Sequence, residues 1–456
     1  MTKNSKLYQD ETVAAVNWLF SIQEKENFGW SWIKHISPNI QNTAEVVYAL
    51  SKHPQVLNGD QKEFLRCAVE YWLLEAPQYY ADLSRDWMWA LMALDEYVGS
   101  EVFEADKFDM DAVEQERQRM VSEILGFQNP DGGWPDIAGE VSAISKTGLA
   151  SYVLSRYYTK DAKVAQAIDK AMEFLKDVQN GDGGFGNIRK NDMLQDSQKK
   201  LLELSYENVE AQYLSSAACT SYCILGMNSV SPHKYAQQIK SASDYLVRIQ
   251  NADGHWNIFY EVGIKSDSIF TFRHFGTAWA MKALFDCTFI DKNAPFMLKG
   301  IQYLVSLQDD VYGGWRSSPD SDTYTWSTCN ALCVIADHRE YFENVKAELF
   351  HKILNEWRFG KSASEDADAK QNRFFISLSV LLYCISVCLA LALAGVLFFD
   401  KAAFGDTTFK FFLAIGYMSL LVPLDIYLFK KHAASKSNGL LILLVMNLIG
   451  LVVISF

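Results

Sequence analysis

The sequence lacks a basic surface. Its 456 residues hold 42 Lys and Arg against 55 Asp and Glu, a net charge of −13. In the first 350 residues no run of Lys and Arg is interleaved with aromatics. Phosphate neutralisation needs such a face, so nucleic acid is excluded as a partner. Residues 1–10 are polar and hold no apolar stretch, so no secretory signal is expected. A disulfide framework is also missing, although there are eight cysteines. Cys219/Cys223, Cys329/Cys333 and Cys384/Cys388 are each four apart in helical-looking segments, which puts each pair on one helix face as small buried hydrophobes. Zinc would need four converging ligands at loop-like spacings, and these are not seen. No metal or cofactor is expected, and reduced thiols suit a cytoplasmic domain.

What is present is a repeat. Five segments share a pattern of an amphipathic helix, Gln, a few polar residues, Gly and an aromatic. They run from Gln23 to Trp30, Gln128 to Trp134, Gln179 to Phe185, Gln250 to Trp256 and Gln308 to Trp315. The glutamines are 105, 51, 71 and 58 residues apart. The first gap is about twice the others and holds an unmarked unit, with helices around 62–74 and 83–97, giving six units. Gly and Asn after the helix are expected to supply its left-handed cap. The Gln tip carries donors and an acceptor and can tie the helix end to the neighbouring unit, with the aromatic packed over the junction.

A second helix follows each motif. Several begin with Thr and carry a small-Leu pair six or seven residues on: Thr43 before Ala49-Leu50, Thr147 before Val153-Leu154, Thr277 before Ala283-Leu284, Thr325 before Ala331-Leu332. These helices are apolar on most sides and read as inner, whereas 160–177 has a charged face and reads as outer. The expected fold is all-α, an (α/α)6 toroid over 1–358. Trp87, Trp89, Trp279 and Trp326 lie on inner helices, where they either line a cavity or fill the core. Phe272, Arg273 and His274 stand before the fifth inner helix, as an anionic headgroup site or as rim residues. The insertion 187–212 reads as a lid or a partner surface.

After residue 358 the composition changes. A small, charged linker covers 359–373. Three apolar stretches follow, about 374–399, 411–429 and 440–456, and the first is long enough for a hydrocarbon core of roughly 30 Å. Lys430, Lys431, His432 and Lys436 put the second loop in the cytoplasm by the positive-inside rule. The toroid is then cytoplasmic and the C-terminus lies on the far side. Asp425 falls within the second stretch, either as a functional acid or near the interface. The stretches read as an anchor, or as an oligomeric pore or gate. Membrane lipid and a protein or homo-oligomeric partner are therefore expected.

The Gln-Gly-aromatic repeat resembles that of terpene cyclases and of protein prenyltransferase β subunits, over roughly residues 10–350. The resemblance implies a central aromatic cavity for an isoprenoid ligand. Class II cyclases carry a D-x-D-D acid motif at the head of an inner helix, and Asp320-Ser321-Asp322 is the nearest match. One acid is missing, and if Thr325 is the family threonine the acid positions fall on Ser321, Thr323 and Tyr324. Asp322 and Asp320 are the candidate acids, and an ordinary helix cap explains Asp322 as well. Ser327 stands where prenyltransferases carry a zinc-binding His, and no Asp-x-Cys partner occurs, so zinc catalysis is not implied. Two functions stay open: an isoprenoid-binding toroid, with or without cyclisation by protonation, and an inactive sensor coupled to the membrane.

Overall fold

The computed structural model describes residues 9–33, 36–75, 83–190, 192, 213–257, 276–317 and 321–339. The expected linker and the three apolar stretches, with Asp425, lie outside these, as do Phe272, Arg273, His274 and Asp320. Among the described residues no helix is long and apolar enough to cross a membrane. By compactness the chain divides into Met1–Lys352 and Ile353–Phe456.

Twelve α-helices lie among the described residues. They are α1 (Gln9–Ser21), α2 (Ile40–Ser51), α3 (Gly59–Ala68), α4 (Ser84–Gly99), α5 (Met110–Gly126), α6 (Ile144–Leu154), α7 (Ala162–Val178), α8 (Ala217–Val230), α9 (Ala236–Ile249), α10 (Gly276–Asp286), α11 (Pro295–Ser306) and α12 (Thr325–Asp337). A π-helical turn, Val69–Glu75, extends α3. No strand is present among the described residues, only isolated bridges such as Trp134 to Ala143.

The sequence pattern sorts these helices into two layers. In α7 the buried residues Val164, Ala167, Ile168, Ala171, Met172, Phe174, Leu175 and Val178 recur at the three- and four-residue spacing of one helix face, and Asp161 caps its start. Helix α2 is buried almost all round, as an inner helix must be. Each even-numbered helix packs on the next, and α12 returns to α2, which closes the inner ring. The expected α/α toroid of six helix pairs is what forms, with the unmarked unit supplied by α3 and α4.

The motif glutamines tie the outer layer together. Gln128 Nε2 donates to Gly132 O in its own turn and to Ala167 O of α7. Gln179 does the same to Gly183 O and Gln238 O, and Gln250 to Gly254 O and Phe296 O. Gln308 donates to Gly313 O and to Glu11 O of α1, so the last unit is bonded to the first. The motif glycine is not the helix cap expected from sequence. It stands in the turn four or five residues past the Gln, where Gly132, Gly183, Gly254 and Gly313 have φ between +86° and +103°. A Cβ there would also strike the next outer helix, at 2.6 Å from Lys170 O for Gly132 and 2.8 Å from Ala14 C for Gly313. In the first unit the left-handed residue is Phe28, at φ 59°.

The opposite ends of the inner helices carry a belt of ion pairs. Lys52 Nζ lies 2.8 Å from Asp337 and 3.4 Å from Glu96; Lys282 Nζ lies 2.8 Å from Asp337 and 3.3 Å from Asp286. Arg156 reaches Glu96 at 3.6 Å. Burial alone would raise the Asp337 carboxyl, but Lys282 and Lys52 outweigh it and bring it down to about 2. The stability this contributes is present above the ordinary carboxylate range and is lost as pH falls toward 2.

Two predictions follow from the ring. Gln308→Ala removes both donations of one amide and should cost about 1–3 kcal/mol. Hydrogen exchange should show α1 opening first, with α5–α7 unchanged. Asp337→Asn leaves two buried ammonium groups short of a partner and should cost roughly 3–5 kcal/mol at pH 7. The deficit, read by denaturant melts, should shrink as pH falls through the carboxylate range.

Candidate functional site at the centre of the ring

The inner helices share a register fixed by hydrogen bonds. The motif aromatic donates its backbone N–H to a threonine hydroxyl on the following inner helix: Trp30 to Thr43, Trp134 to Thr147, Phe185 to Thr220, Trp256 to Thr277 and Trp315 to Thr328. Each tryptophan ring also donates Nε1–H to its own outer helix, as Trp134 does to Ile124 O. For α12 the marker is therefore Thr328, not the Thr325 expected from the small-Leu spacing. Thr325 is three residues earlier, where its N–H meets Trp32 O. Ile144 N–H meets Asn187 O, and Ser84 N–H meets Asp136 O, in the same way. That equivalence places Trp87 of α4 at the marker position. No motif aromatic precedes α4, so no hydroxyl is required there.

Counting from the marker gives layers with one residue per inner helix. Two residues on are Glu45, Trp89, Leu149, Tyr222, Trp279 and Asn330. Nine residues on are Lys52, Glu96, Arg156, Ser229, Asp286 and Asp337, which supply most of the ion-pair belt.

The first of these layers is the aromatic centre. Trp89 and Trp279, from helices on opposite sides of the ring, meet edge to face with centroids 5.9 Å apart. Tyr48 packs on Trp89 at 6.1 Å, and Tyr222 on Trp279 at 4.7 Å. Trp89 and Trp279 are 5% and 4% exposed. The expected cavity is thus filled at this level, and the belt lies beyond it. On the other side of the two tryptophans from the belt lie the N-terminal ends of the inner helices, the mouth of the inner ring.

The other sequence candidates separate from this centre. Trp87 turns to the outer layer, with the Arg119 guanidinium of α5 4.7 Å from its ring centroid. Trp326 stacks on Tyr324 near the mouth, with centroids 5.5 Å apart. Asp322 is exposed. It is not the cap of α12 either, because the cap is Tyr324 with no side-chain bond. The motif residues Gln23, Trp30, Gln128, Trp134, Gln179, Phe185, Gln250, Trp256, Gln308 and Trp315 make hydrogen bonds in the turns and helix junctions, Gln23 to Phe28 O and the others as given above. No group of His, Cys, Asp and Glu among the described residues could hold a metal ion. A groove of about 820 Å³ lies away from the ring centre, between α7 and the turn at Asp131.

Sequence reasoning missed Glu45. It is 3% exposed, on an inner helix, in the layer that elsewhere holds Trp89, Tyr222 and Trp279. Gln41 Nε2 donates to its Oε1 at 2.8 Å, and Oε2 is buried without a hydrogen-bond partner. Burial is the main cause that lifts this carboxyl to about 7, against the Gln41 bond and Arg85, with Asp86 adding to the rise. Trp279 Nε1 is a second buried polar atom without a partner. The readable signal was an acid on an otherwise apolar helix two residues after a marker threonine.

With this geometry in place, comparison with known proteins fits the architecture. Residues 96–258 match the family described as squalene-hopene cyclase C-terminal domain. Residues 273–390 match the prenyltransferase alpha-alpha toroid domain. The fold is an α/α toroid of the terpene-cyclase and prenyltransferase type. Among solved structures, the alpha-1,6-mannanase of Salegentibacter sp. HEL1_6 is 8% identical, with 73% of this chain and 99% of that chain covered and a TM-score of 0.53. The Lin0763 protein of Listeria innocua is 13% identical, with 76% and 98% covered and a TM-score of 0.50. An apo type II terpene cyclase from Scytonema is 14% identical, with 74% and 100% covered and a TM-score of 0.46. At such identities the likeness is of fold alone. No curated protein matches in sequence.

Glu45→Gln tests the buried acid. The folded chain keeps a proton that the unfolded chain releases, so this group lowers stability as pH rises from about 4.5 to about 7. The variant should match wild type near pH 4 and exceed it by roughly 2–4 kcal/mol at pH 8, in paired melts.

Proposed function

We propose that this chain is a membrane-tethered toroid that binds an isoprenoid or other lipid-like ligand at the mouth of its inner ring. The observation that carries this is the convergence of Tyr48, Trp89, Tyr222 and Trp279 from four inner helices into one aromatic floor. Aromatic faces present large apolar area at fixed geometry, which suits a chain of repeated alkene units. The two family matches support the same ligand class. The apolar stretches at 374–399, 411–429 and 440–456 support a tether, with the toroid in the cytoplasm beside the membrane that dissolves such a ligand.

Binding without cyclisation is the favoured form. Protonating an alkene needs an acid removed from water and aimed at the bound chain. Asp322 is exposed, so it does not meet that need, and Glu45, though buried, is at about 7 too weak an acid to protonate an alkene. A ring that senses its ligand and passes the event to the membrane stretches, or to a protein or second copy bound through them, accords with the filled centre.

The test is mass spectrometry of the apolar extract from full-length, detergent-purified protein. Wild type should retain a discrete polyprenyl-type or similar compound near stoichiometry. Trp89→Ala/Trp279→Ala, checked for fold by circular dichroism, should lose most of it. Bulk phospholipid alone in the wild-type extract would end this reading.

A further inference from the structure

Four side chains in the central layer carry polar atoms with no hydrogen-bond partner among the described residues. Glu45 Oε2 and Trp279 Nε1 are both buried and unpartnered. The Tyr222 hydroxyl and the Asn330 amide make no hydrogen bond to another described residue. Three of them, Glu45, Tyr222 and Trp279, are linked in space as well as in register. Tyr222 packs on Trp279 at 4.7 Å, and the Glu45 carboxyl is within electrostatic reach of the Tyr222 phenol and of Cys329, next to Asn330. A buried polar group left unpaired is costly, so two such groups in one layer call for an occupant.

We propose that Glu45 and Trp279, with Tyr222 and Asn330 beside them, anchor a neutral hydroxyl carried at one end of the apolar ligand. The indole Nε1–H only donates, so it needs an oxygen with a lone pair. The carboxyl accepts from an O–H, or donates its own proton to the oxygen. A single hydroxyl satisfies both. An anionic head is disfavoured, since an acid and no cation stands in the layer. A cationic head would meet the indole N–H with like polarity. The lysines and arginine of the belt are seven residues further along the helices, about 10 Å at 1.5 Å per residue. They are occupied with Asp337, Asp286 and Glu96. The carboxyl's elevation to about 7 fits a group that shares a proton with a neutral partner.

The anchor rests on the apolar-ligand reading above, and one experiment separates the two. Full-length protein in detergent is titrated with radiolabelled geranylgeraniol and with its methyl ether. The ether keeps the chain and the acceptor oxygen but has no O–H to give. Wild type should bind the alcohol at least tenfold more tightly. Glu45→Met should bring the two ligands to parity, and Trp279→Phe should weaken the alcohol by about tenfold. Equal affinity of wild type for both ligands overturns the anchor and leaves the apolar site standing. An alcohol preference that survives in both folded variants overturns its assignment to Glu45 and Trp279. Binding of neither ligand overturns the isoprenoid form of the proposed function, and the anchor with it. The wild-type comparison needs no variant, so poor folding of either substitution does not protect the proposal.

Discussion

The ring depends on one side-chain amide used repeatedly. Four of the five motif glutamines, all but Gln23, donate once to their own turn and once to a carbonyl of the next outer helix, and the turn's glycine lets the two backbones approach. Neither contact is strong alone. Each hydrogen bond contributes about 1 kcal/mol net, and an outer helix without its neighbour would leave its apolar face in water. Closure changes the balance, because the bond from Gln308 to Glu11 O makes the first and last units neighbours in space. The threonine hydroxyl that receives the aromatic N–H does the same job radially, locking five of the six inner helices, all but α4, to the turn that precedes each.

That radial lock explains what was legible in the sequence and what was not. Six helix pairs could be read because the Gln-Gly-aromatic spacing is local, and a local spacing survives insertion elsewhere. The register of α12 could not be read from a small-Leu pair. Ala331-Leu332 follows Thr325 at the same distance as Ala49-Leu50 follows Thr43, yet the lock is on Thr328. Packing pairs recur on any buried helix, whereas a hydroxyl facing a particular N–H is set by three-dimensional geometry. The same limit applied to the tryptophans. Trp87 and Trp89 are two apart on one helix, so they point to different sides, and sequence alone did not say which faced the centre.

The acid was hidden for a related reason. Attention to acids before α12 followed the family motif, and the exposed Asp322 is where that motif pointed. Glu45 sits mid-helix among apolar neighbours, where an ionised carboxylate is expensive to bury. The chain meets that cost in part, with the Gln41 bond and the Arg85 charge, and in part by holding the proton up to about pH 7. An apolar residue of similar size would fit the ring without this compromise, as Leu149 does in the equivalent place on α6. Retaining Glu45 therefore makes physical sense where something other than the protein completes its hydrogen bonds.

The two ends of the inner ring then divide the work. At one end, opposite charges from five inner helices neutralise one another, and Lys282 is held charged well above its ordinary value, despite burial, by Tyr152, Asp337 and Asp286. In such a belt each charge has a partner of opposite sign. At the other end the floor is aromatic, and two of its buried polar atoms, Glu45 Oε2 and Trp279 Nε1, lack partners. A ring with one satisfied end and one unsatisfied end is directional. On the proposed reading, the polar group that an apolar ligand brings to the Trp89–Trp279 level, more than the length of its chain, decides which molecules fit.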